Sequence, residues 1–135
     1  MSQRVYVPLT SSGLADLVAV RVLPPATGHA VTDAVRRQWP DADDEELEYA
    51  ALAAAAEASW LARGAGDRPR RHVLAVDVTR AEPAAEDDPS GVRLPEPTSW
   101  AAIAALHLDV EDVTDPAPGE GDLAWFATQE IPDLA

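Results

Sequence analysis

The chain is 135 residues long, with 47% hydrophobic and 25% charged residues, a globular composition sized for one hydrophobic core and so for a single domain over 1–135. A formal net charge of -14 excludes the basic footprint that nucleic-acid phosphates demand and disfavours anionic membrane surfaces, while permitting a basic protein partner. Cysteine and lysine are both absent, which excludes disulfides, thiolate metal sites, cysteine nucleophiles, Schiff-base chemistry and the phosphate-loop lysine, and leaves arginine as the one basic residue type.

In chain order, Arg4 to Thr10 (RVYVPLT) sets Val5, Val7 and Leu9 against Arg4, Tyr6 and Pro8, the alternation of a half-buried strand. Ser11 or Ser12 is placed to cap a short helix with Leu14, Leu17 and Val18 on one side. VLPPATG ends that helix, because two prolines and a glycine cannot continue it. GHAVT reads as a brief strand, and Thr32 as the cap of a helical piece that runs through Trp39 and is stopped by Pro40.

The stretch from Asp41 to Gly64, DADDEELEYAALAAAAEASWLARG, opens on an acidic cluster and turns into alanine. Asp43 is an N-cap, and Glu46 three residues later reaches back to the cap amide. The remaining carboxylates are favoured by the positive end of the helix, and Ala50 to Ala58 propagates it. Arg63 belongs to the C-terminal end and Gly64 to the stop. Helix initiation thus accounts for the cluster; a calcium loop needs a set ligand order with a turn glycine that is missing, so no metal is expected.

Two apolar stripes run along this helix. Leu47, Ala50, Ala51, Ala54, Ala58 and Leu61 share one face, while Tyr49, Leu52, Ala53, Ala56 and Trp60 make another, with Glu48, Glu57 and Ser59 between. The small-residue face suits close approach to a sheet. The aromatic face suits contact with a protein partner or a second copy, against the plainer reading that the rest of the core covers it.

RHVLAVDVT (Arg71 to Thr79) is the clearest strand, with Leu74, Val76 and Val78 inward and Ala75 and Asp77 on the other face. AEPAAEDDPSG predicts a mobile loop at 81–91, VRL a short strand and PTSW a single turn. AAIAALHLDV ends as a strand that alternates Leu106, Leu108 and Val110 with His107 and Asp109. DPAPGEG is a linker, after which Asp122 caps a final helix, LAWFATQEI, stopped by Pro132. In that helix Leu123, Phe126 and Ala127 face the core, leaving Trp125 and Gln129 on another side; Trp39 and Trp100 read as plugs at element ends. The mixed order predicts an α+β fold, a small mixed sheet of about four to five strands with helices packed mainly on one face.

RVYVPLT, DEELEYAALAAAA, RRHVLAVDV and WFATQEIPDL together resemble a family of small proteins from high-GC actinobacteria with no assigned function. The resemblance spans nearly the whole chain, apart from AEPAAEDDPSG and DPAPGEG. It implies one intact domain in a cytoplasmic bacterial setting, and it carries no catalytic residue over.

His29, His72 and His107 lie far apart without ligand spacing. Strand parity permits His107, Asp109 and Asp77 to gather on the outer sheet face with Tyr6 as an acid/base cluster, although polar residues on an exposed face are also the ordinary result of alternation. Arg68, Arg70 and Arg71 form the one basic cluster, able to grip a carboxylate or phosphate or simply to protect a strand entry. No G-x-S-x-G, Walker, dinucleotide or H-E-x-x-H pattern occurs. Nor is there an apolar run of about 18 residues or a charged segment followed by an apolar one at the N-terminus, so a cytoplasmic protein is expected.

The reading is a non-enzymatic acidic interaction or regulatory module, without cofactor, nucleic acid or membrane. It would bind a protein partner or itself through Tyr49, Leu52, Ala56 and Trp60, with Trp125 alongside. The alternative is a small enzyme or ligand-binding protein using the polar sheet face. A third possibility, an acidic mimic of nucleic acid that blocks a basic protein, rests on charge alone.

Overall fold

A computed structural model of the chain describes residues 2–85, 88–117 and 123–135. In it the alternation of β1 (Gln3–Leu9) is buried on both sides, Val5 and Val7 on one and Tyr6 on the other. Thr10, rather than Ser11 or Ser12, caps α1 (Ser11–Val20) by accepting from the Gly13 amide at 3.2 Å. The two serines instead bind the loop after the long helix: Ser11 Oγ and Ser12 N donate to Asp67 Oδ1 at 3.2 and 3.0 Å. Arg21, in the left-handed region at φ 62°, ends α1 and starts β2 (Val22–Leu23). β3 (Ala26–His29) passes so close to β1 that a Cβ at Gly28 would sit 2.7 Å from the Tyr6 carbonyl oxygen.

Thr32 caps α2 (Asp33–Gln38), and Asp43 caps α3 (Asp44–Leu61) in the expected capping box, its carboxylate accepting from Glu46 N at 2.8 Å. Then follow β4 (His72–Val78), β5 (Glu82–Ala85), β6 (Asp88–Leu94), β7 (Thr98–Ser99), a 3-10 turn (Trp100–Ala102), β8 (Ile103–Leu108), β9 (Ala124–Ala127) and a C-terminal 3-10 helix (Thr128–Leu134).

The main sheet has seven strands in the order β5-β6-β3-β1-β4-β8-β9, every neighbouring pair antiparallel, with β2 and β7 as a separate two-stranded ladder. This corrects the expected mixed sheet of four to five strands. Two segments make up the difference. Most of the stretch expected as a loop at 81–91 is the β5–β6 hairpin, in which Pro83 sits on the outermost strand, where a missing amide costs no ladder bond. The stretch expected as a final helix is β9 followed by 3-10 helix, and Pro132, expected to stop that helix, lies inside the 3-10 segment. Asp122, expected as the cap of that helix, lies outside the described residues, as do 86 and 87.

The helices do not share one face, contrary to expectation. Leu14 and Leu17 of α1 pack with Val5, Val7, Leu74, Val76, Leu106 and Ile131 on one side of the sheet. On the other, Ala51, Ala55 and Ala56 of α3 pack with Tyr6, Val73, Ala75 and Ala105. The buried arc of α3 also runs between the two expected stripes: it takes in Leu47, Ala51, Ala55, Ala56 and Ser59, while Ala50 and Leu61 are exposed. Ser59 belongs there because its hydroxyl donates to the Leu9 carbonyl at 2.6 Å and accepts from the His72 amide at 2.8 Å, latching the end of α3 to β1 and β4.

Removing that latch leaves two buried backbone groups unpaired, so Ser59→Ala is expected to cost about 1–3 kcal/mol. Asp43→Ala, which unmakes an exposed cap, is expected to cost about 1 kcal/mol. Urea unfolding of both variants checks the order; a Ser59→Ala loss below that of Asp43→Ala would contradict the latch.

Candidate functional site

Polar side chains gather on the α3 face of the sheet, near the first turns of α3. Arg4 and Asp77 face each other across β1 and β4, and Arg4 Nε and Nη2 donate to Asp77 Oδ1 and Oδ2 at 2.8 and 3.0 Å. This fork lowers the Asp77 carboxyl below its usual range. Tyr6, two residues along β1, points to the same side, and Glu48 comes down from α3 beside it. Burial, then the Glu48 carboxylate, push the Tyr6 hydroxyl well above its ordinary value. Ser2, Arg4, Tyr6, Glu48 and Asp77 line an open hollow of about 490 Å³, and Glu48 Oε2 is buried without a well-formed hydrogen bond among the described residues.

His107 stands edge-on to Tyr6, with ring centroids 6.3 Å apart. Burial, then the charge of Arg4, lower its pKa, so the ring is neutral at neutral pH. Of the expected group of His107, Asp109 and Asp77, His107 and Asp77 share this face, but the group does not assemble. His107 lies opposite Val73, and Asp77 is four residues further along β4, about 13 Å away at ~3.3 Å per residue. Asp109 is held elsewhere: its Oδ2 accepts from Arg71 N and Nε at 2.8 and 2.9 Å, and its Oδ1 from Arg71 Nη2 at 2.9 Å. Both side chains are buried, 6% and 7% exposed. Among the described residues no carboxylate orients His107, so an acid/base dyad there lacks its second member.

The same pair divides the expected basic cluster. Arg71 is committed to Asp109 and Arg70 to Asp112 at 2.8 Å, leaving Arg68 exposed with its guanidinium unpaired among the described residues. The three do not converge on one anion. Among the described residues no group of three metal-ligating side chains lies together.

Of the expected contact residues, Ala56 is buried and Leu52 packs against the α3-face cluster, so both serve the core. Trp60 is half-buried, with the Arg63 guanidinium stacked 3.5 Å from its ring centre. Tyr49 and Trp125 are open to solvent, at 52% and 61%. Trp125 lies opposite His107 in β9 and so on the α3 side of the sheet. Arg4 and Glu48 were missed as site residues. The parity that grouped Tyr6 with Asp77 also carried Arg4, whereas Glu48 was absorbed into the acidic start of the helix.

Together these features define an antiparallel α+β domain covered on both faces of its sheet, with polar side chains around an open hollow on one face. The chain belongs to a family of unknown function (DUF6912), which matches it over residues 3–135. No curated protein and no solved structure matches it. No helix of the described residues is long and apolar enough to cross a membrane.

Asp109→Ala takes the carboxylate away from the buried Arg71 guanidinium and is expected to cost about 3–5 kcal/mol in urea unfolding, while Arg71→Met with Asp109→Leu recovers most of that loss. A pH dependence follows from His72 and His107, both of whose pKa values are lowered first by burial. The unfolded chain takes up these protons first, so the stability they confer is intact above about pH 6.5 and is lost as pH falls from there toward the folded-state values. Urea midpoints measured at about pH 7.5 and about pH 5.5 should fall in the wild type and stay level in the His72→Gln/His107→Gln double variant. An equal fall in both would refute the assignment.

Proposed function

We propose that this protein is a non-enzymatic interaction module that binds a protein partner, or a second copy of itself, through the margin formed by the Tyr49–Trp60 flank of α3 and by Trp125 on β9. The observation that carries the reading is the exposure of Tyr49 and Trp125 at 52% and 61% on one side of the sheet, where a monomer would ordinarily bury large aromatic residues. Leu52 of α3 and Leu123 just before β9 pack against the same cluster, which supports treating the two aromatic elements as one surface. The acidic net charge favours a basic partner and a salt-sensitive association rate. The polar groups nearby support the same reading, since Arg4 is spent on Asp77 and Arg71 on Asp109.

Trp125→Asp tests it. Affinity capture with wild type and variant, alongside light scattering of each, should give a stoichiometric partner or a dimer for wild type and loss of it for the variant, with an unchanged urea midpoint. Equal capture by both, or a wild type that is monomeric and partnerless, would sink the proposal.

The second reading, ligand binding in the hollow between Arg4, Tyr6, Glu48 and Asp77, is favoured by the buried Glu48 Oε2, which has no well-formed hydrogen bond among the described residues. A thermal upshift of the wild type by a small amine, absent in Glu48→Gln, would replace the first reading with this one.

A further inference from the structure

The sheet face opposite α3 carries a groove of about 500 Å³ between the second half of α1, the end of β1 and the segment around β2, lined by Val7, Leu9, Leu17, Val20, Val22 and a set of prolines. Val20 and Val22, at its lip, are 65% and 42% exposed. Large apolar side chains at the rim of a concave apolar surface mark a binding site more often than scattered exposure does.

Three properties of the lining narrow the occupant. Pro8, Pro24, Pro25 and Pro97 contribute no amide donor, so a partner strand laid in the groove would find few amides to extend a ladder and would leave many of its carbonyls to water. A helix satisfies its backbone internally and needs only a groove for its side-chain ridge. Asp16 is the one charged side chain in the lining, and it makes no ion pair or hydrogen bond among the described residues. With a chain charge of -14 behind it, an unpaired carboxylate at the rim selects a cation and rejects an anion. The walls are β1, whose hydrogen-bonded neighbours fix it, and α1, anchored by buried Leu14 and Leu17, so the groove is formed before anything binds.

We propose that this groove docks an amphipathic helix of a partner protein, with an arginine or lysine one turn from its apolar ridge to meet Asp16. The site lies on the opposite face from Trp125, and the proposal stands or falls without the aromatic margin.

The test is selection of the wild-type chain against a random-peptide display library, with Val20→Asp as the counter-selecting bait and amide shift mapping of the enriched peptides. Val20 and Asp16 are both exposed, so the variants are expected to keep the wild-type urea midpoint. The enriched peptides should be basic, become helical on binding and shift amides between Gly13 and Ala26. Their affinity should fall more than about tenfold in Val20→Asp and about fivefold in Asp16→Arg, and be unchanged in Trp125→Asp. Enrichment of acidic or extended peptides, shifts confined to another surface, or no enrichment at all would overturn the proposal. So would saturable binding of octylammonium in the groove without any peptide, which would make it a small-amine site.

Discussion

The close approach of α3 to the sheet is the constraint on which the other features depend. Ala51, Ala55 and Ala56 meet Tyr6, Val73, Ala75 and Ala105, small residues on both sides of most contacts. Such an interface gains little from each side chain, at roughly 25 cal/mol per Å² of apolar area, and holds only if the helix lies close along its length. Each end is accordingly fastened by something other than apolar area. At the start, the Asp43–Glu46 capping box and the Arg36–Asp44 pair fix the first turn; at the finish, Ser59 bonds to both β1 and β4. Because the helix lies so close, Glu48 is pressed against Tyr6 and loses much of its water, which gives this face its one electrostatically tense spot.

A second constraint is the arithmetic of charge. Ten basic residues face twenty-four acidic ones, and all ten are arginines. Arg4, Arg36, Arg70, Arg71, Arg80 and Arg93 are in ion pairs, and Arg21 and Arg63 lie over Trp100 and Trp60 at 4.2 and 3.5 Å. The fork geometry of arginine suits both uses. Most of these pairs lie at the surface, with Arg36, Arg80 and Arg93 more than half exposed, so they neutralise carboxylates locally while the acidic excess sets the charge of the whole.

These two constraints explain what could be read from the residues. β1, β4 and the last part of β8 were legible because β-branched and leucine side chains alternate with polar ones, and α3 because its capping box is a short-range pattern. The face of α3 was not legible: alanine carries too little hydrophobicity to mark a side, and Ser59, whose partners are 50 and 13 residues away in the chain, looks like a solvent residue. The β5–β6 hairpin hid behind proline and acids, features that edge strands also use to avoid pairing with other chains. β9 hid behind a leucine-, tryptophan- and alanine-bearing run of helical character, and only pairing with β8 makes it a strand. For the candidate site, parity put Tyr6, Asp77, His107 and Asp109 on one face, but position along the strands decides reach, and that depends on register. The Arg71–Asp109 pair, 38 residues apart, took one member from each of two expected sites.

What is closed and what is left open in this molecule point the same way. Catalytic sites keep titratable groups poised, with a base oriented by a neighbour and a free position for substrate. Here Asp77 and Asp109 answer to arginines, the Tyr6 hydroxyl is held in its neutral form, and His107 has lost its charge without gaining an orienting carboxylate among the described residues. The unsatisfied surface is apolar instead: aromatic at the α3 margin, aliphatic in the α1 groove, on opposite faces of one sheet. Covering such apolar surface is favourable in proportion to the area removed from water. The net charge of -14 makes close approach of two copies of the chain costly at low ionic strength and less so as salt screens it.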